Sequence, residues 1–186
     1  TSLTSIILPK GVTSIGERAF STCSGLRNVK IGDSVTSIGQ GAFYDCIKLT
    51  NITIPDSVTS IGIRAFLNCN SLTNITIGKS LTSIGKRTFY DCSNLRSISI
   101  PDSVTSIGKE AFADCKTLKS IIIGKSVTNI EVSAFGGCKN LTSITIPKSV
   151  TVVGGRIFSG CESLTALTFL GDAPKGEYWA LYGATP

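Results

Sequence analysis

The chain repeats itself every 23 residues, and this period constrains its fold more than any other feature. All seven cysteines fall 23 residues apart, and seven of the eight phenylalanines keep the same spacing. The cysteines are Cys23, Cys46, Cys69, Cys92, Cys115, Cys138 and Cys161. A fixed period in the twenties indicates a solenoid, in which each copy forms one turn and buries its apolar side against its neighbours. Functional residues are therefore expected on a repeating surface.

Residues 49–71, LTNITIPDSVTSIGIRAFLNCNS, represent the repeat unit. Its apolar residues stand at unit positions 1, 4, 6, 10, 13, 18 and 21, and eight unit starts are visible, of which seven complete the unit. Positions 3–7 alternate polar and apolar residues, which is typical of a half-buried strand. Stacked copies of this segment predict a parallel sheet.

The rest of the unit predicts a turn, an arc and a short helix. A proline or glycine follows the strand, as at Pro55 and Gly78, and ends regular pairing. A glycine recurs at unit position 14, as at Gly62, and we expect it to hold a torsion that other residues avoid. In residues 64–69 the apolar residues are three or four apart, which favours one helical turn. We therefore predict about eight stacked coils over residues 1–169, with a parallel β-sheet on one face and short helical turns on the opposite face.

The repeated pattern LxxIxIPxxVxxIGxxAFxxCxx, present from Leu3 to about Phe169, resembles the BspA-like class of leucine-rich repeats. The resemblance covers nearly the whole chain. It implies a leucine-rich repeat solenoid. It also implies a binding or adhesion role in a surface or secreted protein, which places this chain outside the cell or at its surface.

Residues 170–186 break the repeat and resemble the degenerate closing segment of such arrays, which predicts a truncated C-terminal cap with Tyr178, Trp179, Leu181 and Tyr182 as candidates to cover the last turn. The start at Thr1 and the stop at Pro186 favour an excised domain. An open end would promote end-to-end association. The sequence holds no apolar stretch of the roughly 18 residues that a membrane span requires.

The residues argue against catalysis, a metal or a cofactor. The chain has no histidine, which excludes catalytic systems and metal sites that depend on that residue. The cysteines lack the close pairs of structural zinc sites. Adjacent turns would bring cysteines within disulfide distance. The unit position of the cysteines is occupied by apolar residues in related repeats, however, and we therefore predict that the cysteines are reduced thiols that fill the core. We accordingly predict no enzymatic activity.

The net charge of +6 is compatible with an acidic partner but not with sequence-specific nucleic-acid binding. Aspartates interrupt the lysines at unit position 8, as Asp33, Asp56 and Asp102 do. Seven of the thirteen aromatic residues occupy the phenylalanine position that is predicted to be buried, which leaves chiefly Tyr44 and Tyr90 in the repeats to stack on bases.

The outward positions of the predicted strands are the candidate partner site. Rigid parallel strands would present a wall of hydroxyl and amide groups, flanked by cations, to a protein or glycan. The candidate residues are Arg27, Lys30, Asn51, Thr53, Asn74, Thr76, Arg96, Ser99, Lys119 and Thr145. An equally weighted alternative is that serine and threonine are simply good strand-surface residues. For the whole chain, an intracellular interaction scaffold and a structural spacer within a larger protein remain alternatives.

Overall fold

A computed structural model describes residues 2–172 and 175–176, with side chains for residues 2–172. These residues coil into a parallel β-solenoid of about seven complete turns. Each turn holds two short strands, and no helix occurs within the described ranges. The predicted parallel sheet is therefore confirmed, whereas the predicted helical turns are not.

The strands are short because each crosses only one side of a turn. They are β1 (Ser5–Ile7), β2 (Ser14–Ile15), β3 (Asn28–Lys30), β4 (Ser37–Ile38), β5 (Asn51–Ile54), β6 (Ser60–Ile61), β7 (Asn74–Ile77), β8 (Ser83–Ile84), β9 (Ser97–Ser99), β10 (Ser106–Ile107), β11 (Ser120–Ile122), β12 (Asn129–Ile130), β13 (Ser143–Ile146), β14 (Val152–Val153), β15 (Ala166–Phe169) and β16 (Lys175–Gly176). The odd-numbered strands form the first face of the solenoid, and the even-numbered strands form the second face. The residues between each even-numbered strand and the next odd-numbered one, such as 62–73, form the turn face.

The pairing register equals the sequence period. Ile52 pairs with Ile75 on the first face, and Ile38 pairs with Ile61 on the second face, in each case 23 positions apart. All ladders are parallel. On the first face the ladders have the strand orders β1-β3-β5-β7, β9-β11 and β13-β15. On the second face they have the orders β2-β4-β6 and β8-β10-β12-β14-β16. Equivalent residues of successive repeats therefore form continuous columns.

One apolar core fills the solenoid from end to end, because the inward columns carry isoleucine, leucine, valine, phenylalanine and cysteine. The phenylalanine column forms a stack of nearly parallel rings. Phe43 lies 5.3 Å from Phe20 and 5.2 Å from Phe66 between ring centroids. The stack continues to Phe158, where the last spacing is 5.8 Å. Such spacings fall within the preferred range for aromatic pairs.

The turn face is a run of tight turns, so the prediction of short helical turns there is wrong. In each unit the residues at positions 16 and 20 have positive φ, for example 59° at Arg64 and 60° at Asn68. Backbone amides alternate between two acceptors: the N–H of Ala65 donates to Gly62 three residues earlier, whereas the N–H of Phe66 donates to Thr88 of the next turn. Left-handed residues break a right-handed helix, and half of the amides here bond between turns.

The recurrent glycine at unit position 14 is not left-handed, which contradicts the expected torsion. The positive-φ glycines are Gly41, Gly137 and Gly160, none of which stands at that position. Close approach of the backbone explains the residue at Gly39, Gly62, Gly108 and Gly154 instead, whereas Gly16 and Gly85 have no such close contact. A Cβ atom on Gly39 would lie 2.6 Å from the Glu17 nitrogen of the preceding turn. Glycine is needed there because two backbones pack directly against each other.

An eighth coil is not confirmed. The strands β15 and β16 continue the columns of both faces, with Val153 paired to Gly176. The remainder of the proposed cap, including Tyr178, Trp179, Leu181 and Tyr182, lies outside the described residues.

Candidate functional site

The first face displays seven of the ten candidate residues on its outer side, and the other three, Arg27, Arg96 and Lys119, stand immediately before strands of that face. The strands alternate exposed and buried side chains, as in Asn51–Ile54, where Asn51 and Thr53 are exposed and the two isoleucines are buried. Each candidate residue is exposed. The alternation follows from the strand period of two, because the apolar residue of each pair enters the core. The surface therefore has the composition that the sequence predicted.

The structure brings part of the candidate set into one column. Lys30 pairs with Thr53, and Thr53 pairs with Thr76 on the next strand. Ser99 continues this column on β9, and Ile122 lies opposite Ser99 on β11. Ile122 separates Ser99 from Thr145 and is 67% exposed. An apolar side chain thus interrupts the row of hydroxyl groups.

The two asparagines of the set bind each other. The Asn74 Nδ2 group donates to Asn51 Oδ1 at 3.2 Å and to Thr73 Oγ1 at 3.2 Å. These contacts stiffen the column at unit position 3. They also occupy hydrogen-bonding groups that a ligand would otherwise use, so the threonine and serine column is the more available part of the surface.

The three cations at unit position 2 are not a single cluster. Arg96 and Lys119 stand on adjacent turns, and the Lys119 N–H donates to the Arg96 carbonyl at 2.9 Å. Arg27 lies three turns before Arg96, or roughly 14 Å away at the usual strand spacing. None of the three joins an ion pair within the described ranges.

A concave groove of about 650 Å³ opens at the carboxyl ends of β7, β9 and β11. It lies where the registered ladder of the first face is interrupted, between β7 and β9. Its lining combines Thr76 and Ser99 from the candidate set with Ile122, Lys79, Asp102 and Lys125. A second hollow of about 510 Å³ shares Thr76 and Lys79 and extends to Asp33 and Asp56. Together the hollows cross five turns.

Lys79, Asp102 and Lys125 were missed as site residues, although unit position 8 lies two or three residues after each strand and carries charges of both signs. The aspartates there are partly committed to the backbone. Asp56 Oδ1 accepts from the Lys79 N–H and Asp102 Oδ1 accepts from the Lys125 N–H, both at 2.8 Å. The ammonium groups of these lysines join no ion pair among the residues with described side chains. The groove therefore offers charges of both signs beside an apolar patch.

The cysteine column is a set of free thiols buried in the core, apart from the half-buried Cys23. Burial raises the pKa of the Cys46 thiol from 9.0 to about 12, and it also raises the pKa of Cys69, Cys92 and Cys115. The described part of the chain holds no group of three or more histidine, cysteine, aspartate or glutamate side chains suited to a metal ion. It also contains no helix with the length and apolarity of a membrane span.

Comparison with families and structures agrees with this architecture. The family model described as the BspA type leucine rich repeat region matches residues 1–118 and 82–183, in six copies. A comparison with curated proteins finds no match.

Three solved structures illustrate the likeness. A leucine-rich repeat protein from Eubacterium ventriosum is 30% identical over 87% of this chain, with a TM-score of 0.77, and this chain spans 44% of its length. The leucine-rich repeat protein TpLRR of T. pallidum is 25% identical over 92% of this chain and 72% of its own, with a TM-score of 0.69. The pneumococcal vaccine antigen PcpA shares the fold at 21% identity, over 96% of this chain and 58% of its own, with a TM-score of 0.54.

Proposed function

Because this chain belongs to the BspA-type leucine-rich repeat family, we propose that it is a non-enzymatic binding or adhesion module of a surface or secreted protein. Its site is the first face, where a protein or glycan partner would contact the exposed columns and the groove beside them. The observation that carries this proposal is the continuity of the two hollows with the exposed column of Thr53, Thr76 and Ser99. The surface location rests on what is usual in the family.

The first face suits binding because its side chains are held by a rigid frame. Each exposed residue is flanked along the strand by buried ones, and successive strands are locked at a 23-residue register. A preorganised surface loses little conformational entropy when a partner binds. Eight strands at the usual spacing extend over roughly 35 Å, which is enough for an extended partner.

Ile122 is the expected energetic centre of the site. It is 67% exposed and lies in the groove beside Ser99 and Lys125. Binding energy in interfaces concentrates in a few side chains that lose contact with water, surrounded by polar groups that contribute less. A partner that covers Ile122 and hydrogen-bonds the neighbouring hydroxyls would use both features.

The chemistry of the remaining residues supports a binding role over a catalytic one. The chain has no histidine to act as a general base. The thiols of Cys69 and Cys92 are poor nucleophiles, because the reactive species is the thiolate and burial raises their pKa.

The test is a binding assay on immobilised extracellular-matrix proteins and a glycan array. Thr53, Thr76 and Ser99 would be replaced together by glutamate, and Ile122→Glu would be made separately. For a ligand that the unmodified protein binds, we expect each change to weaken binding by roughly tenfold or more, since each places charge in the contact.

The controls carry equal charge elsewhere. Ser14, Ser60 and Val152, exposed on the second face, would be replaced together by glutamate, and Ile7→Glu would match Ile122→Glu because Ile7 is 73% exposed in the same column, outside the groove. If the second-face variant weakens binding as much as the groove variants do, the first-face site is wrong, and if Ile7→Glu weakens it as much as Ile122→Glu does, Ile122 and the groove are not the centre of the site. If the unmodified protein binds nothing on either panel, the adhesion role gives way to a spacer or an intracellular scaffold.

A further inference from the structure

A polar pocket of about 290 Å³ lies on the turn face near the start of the solenoid, away from the first-face groove. Its lining contains two arginines, Arg18 and Arg64, and the hydroxyl or amide groups of four other side chains. The other lining residues are Ser21, Thr22, Gln40, Gly41 and Tyr44. No carboxylate lines it. The pocket therefore combines two positive charges with neutral hydrogen-bonding groups.

The two arginines lack the partner that satisfies the next arginine of their column. Arg87 donates from Nε to Glu110, which stands 23 residues later, and its guanidinium lies 5.4 Å from the Tyr90 ring centroid. The residue 23 positions after Arg18 is Gly41, and the residue 23 positions after Arg64 is Arg87, so neither arginine has a carboxylate at the place that Glu110 occupies for Arg87. Neither Arg18 nor Arg64 forms an ion pair within the described part of the chain. The Arg64 Nε–H is buried and has no hydrogen-bond partner.

Gly41 creates the space between the two arginines. The column at unit position 16 reads Arg18, Gly41, Arg64, Arg87, Glu110, Ser133 and Arg156, and all seven residues have positive φ. Side chains are therefore tolerated at this position. A Cβ atom on Gly41 would lie 3.4 Å from Arg18 Cγ and 3.6 Å from Tyr44 Cβ. The missing side chain leaves open space in the pocket that Arg18 and Arg64 both line.

Two carboxylates adjoin lining residues in the sequence, Glu17 beside Arg18 and Asp45 beside Tyr44, and both accept hydrogen bonds from other side chains. Glu17 accepts a hydrogen bond from Gln40 Nε2 at 3.3 Å, and Asp45 Oδ1 accepts from Asn68 Nδ2 at 2.7 Å. Both carboxylates would weaken the binding of an anion by repulsion, but neither residue lines the pocket.

We propose that this pocket binds a phosphate-type oxyanion, either as the free ion or carried on a small sugar. Arginine forms charge-assisted, often bidentate, hydrogen bonds to oxyanions. The buried Arg64 Nε–H is a donor that an oxyanion oxygen would satisfy, and Tyr44, Ser21 and Thr22 add neutral donors. The site is independent of the first-face partner site, since the two share no lining residue.

The test is a titration with inorganic phosphate, glucose 6-phosphate and glucose. Calorimetry measures binding, and the ¹H–¹⁵N NMR signal of the Arg64 Nε–H reports whether that group is involved. We expect saturable binding of both phosphates, a shifted Arg64 signal and no binding of glucose. Tighter binding of glucose 6-phosphate would identify a sugar-borne group as the ligand, and equal binding would identify the free ion. Added salt should weaken both.

Two variants and one control make the result specific. Arg64→Ala should weaken phosphate binding about tenfold, the factor expected when a charge-assisted hydrogen bond is lost. Gly41→Glu should abolish it, because the new carboxylate would pair with Arg18 as Glu110 pairs with Arg87, in a column position that already accepts glutamate. Arg156→Ala removes the same charge at the same unit position, at φ 60° against 59° for Arg64, and should change affinity less than twofold.

Three results would overturn the proposal. The first is the absence of saturable phosphate binding below roughly 10 mM, because a weaker site is negligible. The second is an equal loss of phosphate affinity in Arg156→Ala and Arg64→Ala. The third is unchanged phosphate binding in Gly41→Glu. Melting curves of each variant verify that the solenoid is intact, and Gly41→Glu keeps the test valid if Arg64→Ala unfolds.

Discussion

The thiol of Cys69 donates a hydrogen bond to the carbonyl oxygen of Phe43, with 3.2 Å between sulfur and oxygen. The same oxygen accepts the backbone N–H of Cys46 from its own turn, also at 3.2 Å. Each later cysteine repeats the contact with the phenylalanine 26 residues earlier, as Cys92 does with Phe66 at 3.3 Å. The thiol column therefore links neighbouring turns while it fills the core, which explains the residue without redox chemistry or a metal.

Thiol reactivity should report this burial. Under native conditions at pH 8, we expect iodoacetamide to modify Cys23 first, since it is half-buried, whereas the other six cysteines are buried. Because alkylation requires an accessible thiolate, these six should react only after unfolding. Mass spectrometry of timed samples, with a denatured sample as the control, measures the order. Uniform labelling of all seven in the native state would contradict the buried column.

Alkaline pH should destabilise the fold through the same thiols. The folded-state pKa of Cys46 is about 12 against an ordinary 9.0, so above pH 9 the unfolded chain releases protons that the folded chain retains. The free energy of unfolding should then fall between about pH 9 and 12, by at most about 1.4 kcal/mol per pH unit for each thiol whose pKa is raised by burial, and be unaffected below pH 9. Denaturant melts at several pH values measure this slope.

The matched variant for that slope is Cys46→Ala, which lacks one titrating thiol. Lysine and tyrosine titrations are common to both proteins and cancel in the comparison. An identical pH dependence in the two proteins would show that the Cys46 pKa is not raised by folding.

Phe89→Ala should cost about 3–5 kcal/mol of unfolding free energy, because it leaves a cavity in the ring stack between neighbours 5.5 Å and 5.3 Å away. Phe112→Ala should behave similarly. Thr76→Ala, at an exposed position of β7, should change stability by less than about 0.5 kcal/mol. Urea denaturation gives both values, and equal shifts would refute the assignment of inside and outside.

Gly39→Ala should destabilise the protein by at least about 1–3 kcal/mol, because the added Cβ would meet the Glu17 nitrogen at 2.6 Å and neither backbone can yield easily. Gly16→Ala is the control at the same unit position. Nothing lies within 4 Å of its added Cβ, and it should be neutral or stabilising by up to about 1 kcal/mol through the unfolded state. Thermal melts compare the two variants, and equal effects would contradict the close backbone approach as the reason for glycine at position 39.

The period itself predicted the stacking, the parallel first-face sheet, the inward columns and the outward candidate residues. These follow from sequence because strand alternation is local: a residue such as Ile52 enters the core, and its neighbour Thr53 faces outward. Equal spacing then places each residue over its equivalent in the next turn, as Thr53 lies beside Thr76. The sequence alone therefore determined which side chains share a column.

The tertiary structure decided how neighbouring turns meet. The apolar spacing in residues 64–69 fits a helical turn, yet the Phe66 N–H donates to the carbonyl oxygen of Thr88 in the next turn. The spacing of apolar residues within one unit contains no information about that acceptor. The role of Gly39 likewise depends on a backbone 22 residues earlier, at Glu17. The open space in the pocket that Arg18 and Arg64 line depends on a glycine in the turn between them. Periodicity identifies what lies in each column, whereas hydrogen bonds, close approach and open space between turns depend on the distance at which the columns pack.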